Sequence, residues 1–349
     1  MSTREPLVRN ISDTALLAAI YRARETERPD AVFRDPFARR LAGERGDQIA
    51  KSMPFSERAT WAWITRTYAY DEFIKEQVRE GVDMVVNLAA GLDARPYRMN
   101  LPASLHWIEV DLPGILDYKE EILHGEKPAC TLDRVCLDLS DIAARRQFLA
   151  ALSGTAKNVL IITEGLLIYF SRDEVASLAQ DLAAVRAFHH WIIDIVSPGL
   201  LKMLQKGMGR QIRQGKAEFK FAPEEGPRFF TENGWDVVDV RSTLKTAARL
   251  KRLTLWMRLL SFLPDSQGKQ GSRPWSGICL LRNQSAALNR RLVTRLAYNF
   301  CAAGRCYEKF TMERAPSSTR ETRVLPRGNV IVTPRLQPVS GSADRCAAD

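Results

Sequence analysis

Residues able to bind a nucleoside stand close together in the run Val85-Val86-Asn87-Leu88-Ala89-Ala90-Gly91-Leu92-Asp93-Ala94-Arg95, with Asp111 placed 20 residues after Gly91 at the end of Glu109-Val110-Asp111. The first run reads as a buried β-strand entering a turn of small residues. The second reads as another strand that ends in an acid. A turn without bulky side chains lets a ligand approach the backbone closely. A carboxylate at the tip of the next strand can accept both hydroxyl protons of a ribose. The pattern points to a nucleoside-containing cofactor on a doubly wound α/β sheet. A plainer reading, in which the small residues only let a helix pack on the strand, stays open.

The turn also bears on which nucleoside is meant. A dinucleotide site uses G-x-G-x-x-G, whose glycines admit a pyrophosphate at a helix N-terminus. Here the same positions read Ala89-x-Gly91-x-x-Ala94, one glycine of three, and Asp93 falls where a phosphate would sit. An anion there opposes a diphosphate but not a sulfonium or an ammonium group. S-adenosylmethionine therefore fits this turn better than NAD.

The chain has 349 residues, 45% hydrophobic and 26% charged, the profile of a soluble globular protein with one large or two small domains. No apolar run approaches the ~18 residues needed to span a bilayer. Met1-Ser2-Thr3-Arg4-Glu5-Pro6 lacks the apolar centre of a signal peptide. The expectation is a cytoplasmic protein with no stable membrane insertion. None of the six cysteines forms C-x-x-C, and no Cys/His group has zinc spacing, so neither metal nor disulfide framework is expected. Cys136 and Cys279 fall in strands and are expected to be buried. The net charge of +10 is unevenly spread: residues 286–349 contribute +6, with eleven Arg/Lys against five Asp/Glu. The rest is nearly balanced and has no basic stripe with interleaved aromatics, which argues against nucleic acid as a partner.

Helices come first along the chain. Ser12 or Asp13 caps a helix with Leu16, Leu17, Ile20 and Tyr21 at helical spacing, and Arg28-Pro29-Asp30 ends it. Asp35-Pro36-Phe37 opens a short second helix, and a longer one runs over 56–79. Strands and helices then alternate. The strands are 84–88, 106–110, 134–137, 158–163 and 191–196; helices begin at Pro113, near 141 and at the capping box Ser171-x-x-Glu174. These strands lack polar alternation, as parallel strands covered on both faces do. Residues 198–225 read as basic and irregular. A short helix near 225–233, a strand at 235–240, a basic amphipathic helix over 244–263 and a last strand at 275–281 complete the pattern. The expected architecture is a Rossmann-like doubly wound sheet, mostly parallel, ending in an antiparallel edge strand. Residues 1–80 form a helical cap, 81–285 the core with a lid region at 197–275, and 286–349 a basic tail expected to be disordered.

Several short motifs occur in order at matching spacings: Thr14-Ala15 with Arg22-Ala23-Arg24-Glu25, Asp35-Pro36-Phe37-Ala38, Asn87 to Arg98, Glu109 to Pro113, Asp138-Leu139, and Thr163-Glu164-Gly165-Leu166-Leu167-Ile168-Tyr169-Phe170. Together they resemble the leucine carboxyl methyltransferase-like family, and above all its bacterial branch of S-adenosyl-L-methionine-dependent methyltransferases. The resemblance covers roughly residues 10–284. It implies that Arg66 meets the methionine carboxylate, that Ala89 and Gly91 line the methionine moiety, and that Asp111 holds the ribose hydroxyls. It further implies that Asp138 and the Leu139 backbone take the adenine, and that Glu164 meets the methionine ammonium group or orders the wall beside it. Where the family commonly has glycine this chain has Ala89, a change expected to be sterically mild. Taken alone, Arg66 also reads as a surface ion-pair residue, and Asp138 as the N-cap of the helix that follows.

Methyl transfer from a sulfonium is an in-line displacement governed by positioning and desolvation. A carboxylate acceptor needs no base; a hydroxyl normally does. His106, His189 and His190 open strands, at the end opposite a ligand face, and His124 ends a helix. Tyr97 and Tyr169 lie nearer the site, and Glu164 and Tyr169 are the candidates for a direct catalytic part. The expectation is an O-methyltransferase acting on a carboxylate or hydroxyl of a small-molecule acceptor, or on a C-terminal carboxylate. The competing classes are an NAD(P)-dependent oxidoreductase and a cofactor-binding relative without turnover. The basic helix at 244–263 reads either as a lid or surface for an acidic or membrane-associated acceptor, or as a cover helix with a solvated basic face.

Overall fold

A computed structural model describes residues 12–52, 59–214, 218–264, 271 and 273–286, all within the first of two units of the chain, Met1–Arg290. The expected disordered tail lies outside the described residues from 287 onward.

Seven strands form one sheet in the order β3-β2-β1-β4-β5-β7-β6. They are β1 Met84–Leu88, β2 His106–Asp111, β3 Thr131–Cys136, β4 Val159–Thr163, β5 Phe188–Val196, β6 Trp235–Ser242 and β7 Ser276–Asn283. The first five run parallel, and β7 is antiparallel to both neighbours, β5 and β6. The antiparallel strand thus sits one place inside the expected edge, which β6 occupies. Strand order reverses between β1 and β4, and crevices that take ligands open at the carboxyl ends of strands at such a reversal.

Both faces of the central strands are buried because their side chains alternate between two cores. From β1 and β4, Val86, Leu88 and Ile161 enter one core with Leu178, Trp191 and Phe230. Val85, Leu160 and Ile162 enter the other with Tyr70 and Phe73. The helical cap brings a third cluster, in which Leu17, Ile20, Leu41 and Ile49 pack on Leu92 and Ala94 of the turn after β1. Its helices are α1 Ser12–Thr26 and α2 Ala38–Ser52, the second kinked at Gly43; α3 Thr60–Arg79 follows. The helices between strands are α4 Arg95–Arg98, α5 Pro113–Ile122, α6 Ile142–Leu152, α7 Arg172–Ala183 and α8 Pro198–Gln214.

Four local expectations need correction. Residues 198–214 form a helix rather than irregular chain, because Leu200, Leu201 and Leu204 recur at helical spacing, which outweighs the helix-weakening Gly207 and Gly209. The single helix over 244–263 is two short ones, α9 Thr243–Arg249 and α10 Leu255–Leu260. Lys251 between them has φ 57°, which no α-helix accommodates. Strand β3 begins at Thr131, since it pairs with β2 over its full length. Cys136, at the end of this edge strand, is exposed, whereas Cys279 in the interior strand β7 is buried.

Ala89 carries the other departure. It sits at φ 55°, and Gly91 follows at φ 50°. The missing glycine is therefore more than a steric matter, because an L-residue in left-handed conformation costs about 1–2 kcal/mol. Ala89→Gly should stabilise the fold by about 1 kcal/mol, less than the full strain because glycine also loosens the unfolded chain. A thermal or urea midpoint that does not rise in this variant would show that the turn carries no such strain.

Candidate cofactor and active site

The crevice predicted by the reversal in strand order is a cavity of about 930 Å³, within the range of pockets that enclose a drug-sized ligand. Arg66, Ala89, Gly91, Asp111, Asp138, Leu139, Glu164 and Tyr169 all line it. Positions spread over a hundred residues of sequence are thus gathered: Arg66 from α3, and the other seven at or just after the carboxyl ends of β1, β2, β3 and β4.

Asp111 ends β2 and reaches across to the turn after β1. Its Oδ2 accepts from the Gly91 N–H at 2.6 Å and its Oδ1 from the Leu112 N–H at 2.8 Å. Those two bonds fix the carboxylate at the rim of the cavity. Burial raises its pKa, against the Gly91 and Leu112 N–H groups and Lys119, which favour the anion. A ligand that donates protons to this group relieves part of the burial cost.

Asp138 does not cap the next helix. Asp141 does so, accepting from the Ala144 N–H at 3.0 Å. Asp138 Oδ1 instead takes the Ser140 N–H at 2.8 Å and the Ser140 hydroxyl at 2.7 Å, a local turn that holds an exposed acid beside the cavity. Leu139 is buried next to it, and its carbonyl accepts from Arg145 Nη1.

Opposite charges meet at the other end. Arg66 of α3 places Nε 3.1 Å from Glu164 Oε1 and Nη1 3.5 Å from Asp194 Oδ2, with its guanidinium 4.8 Å above the Trp63 ring. Burial lowers the pKa of Arg66, but Asp194 and Glu164 outweigh it and raise the value. Gly165 lets the guanidinium come this close, because a Cβ there would lie 3.1 Å from Nη1. Arg66 is an ion-pair residue as well as a cavity-lining one, so the two sequence readings do not exclude each other. Asp194 was not foreseen. Its signal was a single acid in the apolar run Trp191-Ile192-Ile193-Asp194-Ile195-Val196, near a carboxyl strand end. Its Oδ1 accepts from the Gly165 N–H at 2.7 Å and the Tyr70 hydroxyl at 3.1 Å.

Behind this rim lies a buried ion network. Arg95, 2% exposed, binds Asp71 through Nε at 2.6 Å, and Asp93 and Glu164 through Nη1 at 2.9 and 2.8 Å. Arg98 grips both oxygens of Asp71 at 2.7 Å. Asp93 also accepts from Asn87 Nδ2 and from the Arg95 N–H. The charge argument drawn from Asp93 therefore fails: its carboxylate turns inward and is neutralised by Arg95. Arg22 ties the helical cap to the same place, donating to Asp35 at 2.9 Å and to the Leu92 carbonyl at 2.6 Å.

Tyr169 donates to the Thr14 hydroxyl at 3.2 Å, and burial raises its pKa. It is a protonated hydrogen-bonding group at neutral pH rather than a base. Tyr97 turns away and accepts from Arg134 Nη2. His106 pairs with Asp133 and His189 with Asn158, and no histidine lines the cavity. Among the described residues no group of three or more His, Cys, Asp or Glu is arranged to hold a metal ion.

The leucine carboxyl methyltransferase family profile matches residues 15–183. That match runs from α1 to the end of α7 and includes every sequence-predicted site residue. The resemblance read from the motifs holds. A Mycobacterium avium (strain 104) protein named for S-adenosyl-L-methionine-dependent methyl transfer is 36% identical over 197 residues, 51% of this chain and 61% of its own length. A similarly named protein of Parafrankia sp. (strain EAN1pec) is 34% identical over 187 residues, 51% of this chain and 60% of its own. The chain thus spans about three fifths of the length of these relatives. A solved structure from Thermobifida fusca YX, described as a methyltransferase, superposes over 80% of this chain and 96% of its own with a TM-score of 0.49 at 16% identity.

The network behind the cavity sets an acid limit on stability. Burial pushes the Asp93 carboxyl up, but Arg95, with Lys119, Arg98 and Arg22 beyond it, holds it down at about 2. In the unfolded chain the group titrates near ~3.9. Its contribution is therefore complete above pH ~4 and is lost as the pH falls towards 2. Urea midpoints across this interval should fall more steeply for the wild type than for Asp93→Asn, and parallel curves would show that Asp93 is not held ionised.

Proposed function

We propose that the protein is an S-adenosyl-L-methionine-dependent methyltransferase that methylates oxygen on a small-molecule acceptor. The observation that carries this reading is the pairing, in one cavity, of a carboxylate fixed for a ribose with a mixed-charge cluster fit for a zwitterion. Asp111 stands at the ribose position of a doubly wound sheet. Arg66 offers a planar fork to a carboxylate, and Glu164 and Asp194 offer acceptors to an ammonium group. The mycobacterial and Parafrankia relatives bear names of the same activity.

Net charge supports the same cofactor. Arg22, Arg66, Arg95 and Arg98 face Asp35, Asp71, Asp93, Glu164 and Asp194, four cations against five anions. The surplus anion complements the single net positive charge of S-adenosylmethionine. Arg66 is already paired, so it would release Glu164 to hold the carboxylate of a bound zwitterion, and the freed acid would hold the ammonium group. Ala89 and Gly91 line the methionine, and Asp138 with the Leu139 N–H takes the adenine edge. A diphosphate cofactor is disfavoured on new grounds. Helix α4 after the turn is one turn of four residues, and its small dipole gives a pyrophosphate little to bind.

The cofactor supplies an activated methyl group, whose transfer forms an O–CH₃ bond as the S–CH₃ bond breaks and its electrons stay on sulfur. The protein supplies alignment and exclusion of water. The cavity offers no histidine, and its tyrosine Tyr169 stays protonated, so an acceptor that is already ionised, a carboxylate, suits it best. A hydroxyl acceptor would need Glu164 as base.

Titration of S-adenosylhomocysteine and adenosine tests the reading. Asp111→Ala should weaken both ligands, by on the order of 1.5–3 kcal/mol, as expected for a lost charge-assisted hydrogen bond. Arg66→Ala should weaken S-adenosylhomocysteine far more than adenosine, which lacks the amino-acid end. Absence of S-adenosylhomocysteine binding in the wild type would overturn the proposal, and equal losses in Arg66→Ala would remove Arg66 from the amino-acid end.

A further inference from the structure

Helix α10 is thinly covered. None of its residues is buried, and Leu255, Trp256, Leu259, Phe262 and Leu263 in and just after it are 81, 63, 69, 83 and 57% exposed. Apolar side chains gathered this way on a soluble surface mark an interaction site. The segment is not a loose loop. Leu253 at its base is buried, and Arg252 is clamped to Glu25 at 2.7 Å and to Asp30 at 3.0 Å, which fastens it to α1. A cover helix would turn these side chains inward.

Charge tells what such a face fits. Thr243–Pro264 contains not one acid, and its basic residues Arg249, Lys251 and Arg258 are exposed, while Arg252 is neutralised by Glu25 and Asp30. Arg258 is exposed within the apolar face itself. Helix α8, whose residues Met203 and Leu204 line the cavity, carries Lys202 and Lys206 exposed, and its sequence also holds no acid. Aromatic and leucine side chains beside lysine and arginine, in a short helix on the surface, form the pattern of a segment lying in a lipid headgroup layer. Each cation near an anionic bilayer adds to the attraction. The face is also continuous with the cavity, because Met257, Leu260 and Leu263 of the same segment line it.

We propose that residues 254–263 dock on an anionic lipid bilayer and that the methyl acceptor is an amphiphile drawn from that bilayer into the cavity. The docking stands on the surface alone; the acceptor class rests on the methyltransferase reading. Trp256 and Phe262 enter the acyl boundary while Arg258, Lys202 and Lys206 meet lipid phosphates. Met257, Leu260 and Leu263 then form an apolar passage from the layer to the cavity.

Sedimentation of the full-length protein with sucrose-loaded vesicles tests this. Vesicles of phosphatidylcholine with phosphatidylglycerol should bind it, and phosphatidylcholine alone should bind roughly tenfold more weakly. The variant Trp256→Ser/Phe262→Ser, in which neither replaced residue lines the cavity, should lose anionic-vesicle binding by roughly tenfold or more. It should keep its S-adenosylhomocysteine affinity and melting temperature, which shows that it folds. Absence of wild-type binding would overturn the docking. So would equal binding by the variant, which would assign the attraction to the basic residues beyond 286. A wild type that self-associates through this face and ignores vesicles would make a second copy the occupant, and would overturn it too. Vesicle binding without cofactor binding would remove the methyltransferase reading and leave the docking in place.

Discussion

The site depends on the burial of one guanidinium. Arg95 stands at the start of α4, directly after the turn that leaves β1, and its fork is held by Asp71 of α3, Asp93 of the turn and Glu164 beyond β4. A charge this deep is tolerable only because every face of it is paired. Removing Arg95 would leave the Asp93 carboxylate without its paired cation in a low-dielectric interior, which costs about 3–5 kcal/mol in comparable buried pairs. Three separate segments are therefore forced into one arrangement. The turn, the end of β4 and the helix that carries Arg66 cannot shift independently. Arg98 extends the constraint by gripping the same Asp71, and Arg22 carries it to the helical cap.

Pre-organisation of this kind explains why the cavity can be rich in charge without collapsing. Glu164 is shared between Arg95 behind it and Arg66 in front. Its inner oxygen is committed to structure, and its outer oxygen faces a partner that a ligand can displace. Asp194 is built likewise, with Gly165 and Tyr70 fixing Oδ1 while Oδ2 looks toward Arg66. On the proposed function, an incoming zwitterion replaces one exchangeable pair with two matched ones, so little desolvation is left uncompensated. The strained Ala89 lies at this spot, where a backbone held out of its preferred region is tolerated because the surrounding ion pairs over-determine it.

Much of this was legible in the sequence, because the responsible signals are local. Continuous apolar runs marked β1, β2 and β4, and the Ser171 capping box marked α7. The position of Asp111 followed from the strand-turn-strand spacing. What escaped depends on partners distant in sequence. Asp93 looked like a ligand-facing anion because nothing nearby announces that Arg95 turns back to neutralise it. Asp194 was one acid in a hydrophobic strand, and its role needs Arg66, 128 residues away, and Tyr70 of the same helix. The break at Lys251 has no glycine or proline to advertise it. The positive φ there sits next to the clamp on Arg252, whose partners Glu25 and Asp30 are more than 220 residues away in sequence.

That clamp links the two halves of the molecule's chemistry. Glu25, fully buried in α1, receives Arg252 from a point 227 residues later, and the same helix supplies Thr14 to Tyr169 at the cavity wall. The helical cap therefore fixes at once the wall of the cavity and the base of the exposed apolar segment. On the proposed function, an acceptor in the cavity would meet residues of that segment, since Met257, Leu260 and Leu263 belong to the lining. A small, strongly hydrated acceptor would gain nothing from such a passage and would lose hydration along it. An acceptor with an apolar body and an ionised oxygen would be carried by the first and presented by the second, in a cavity that itself offers no histidine to remove a proton.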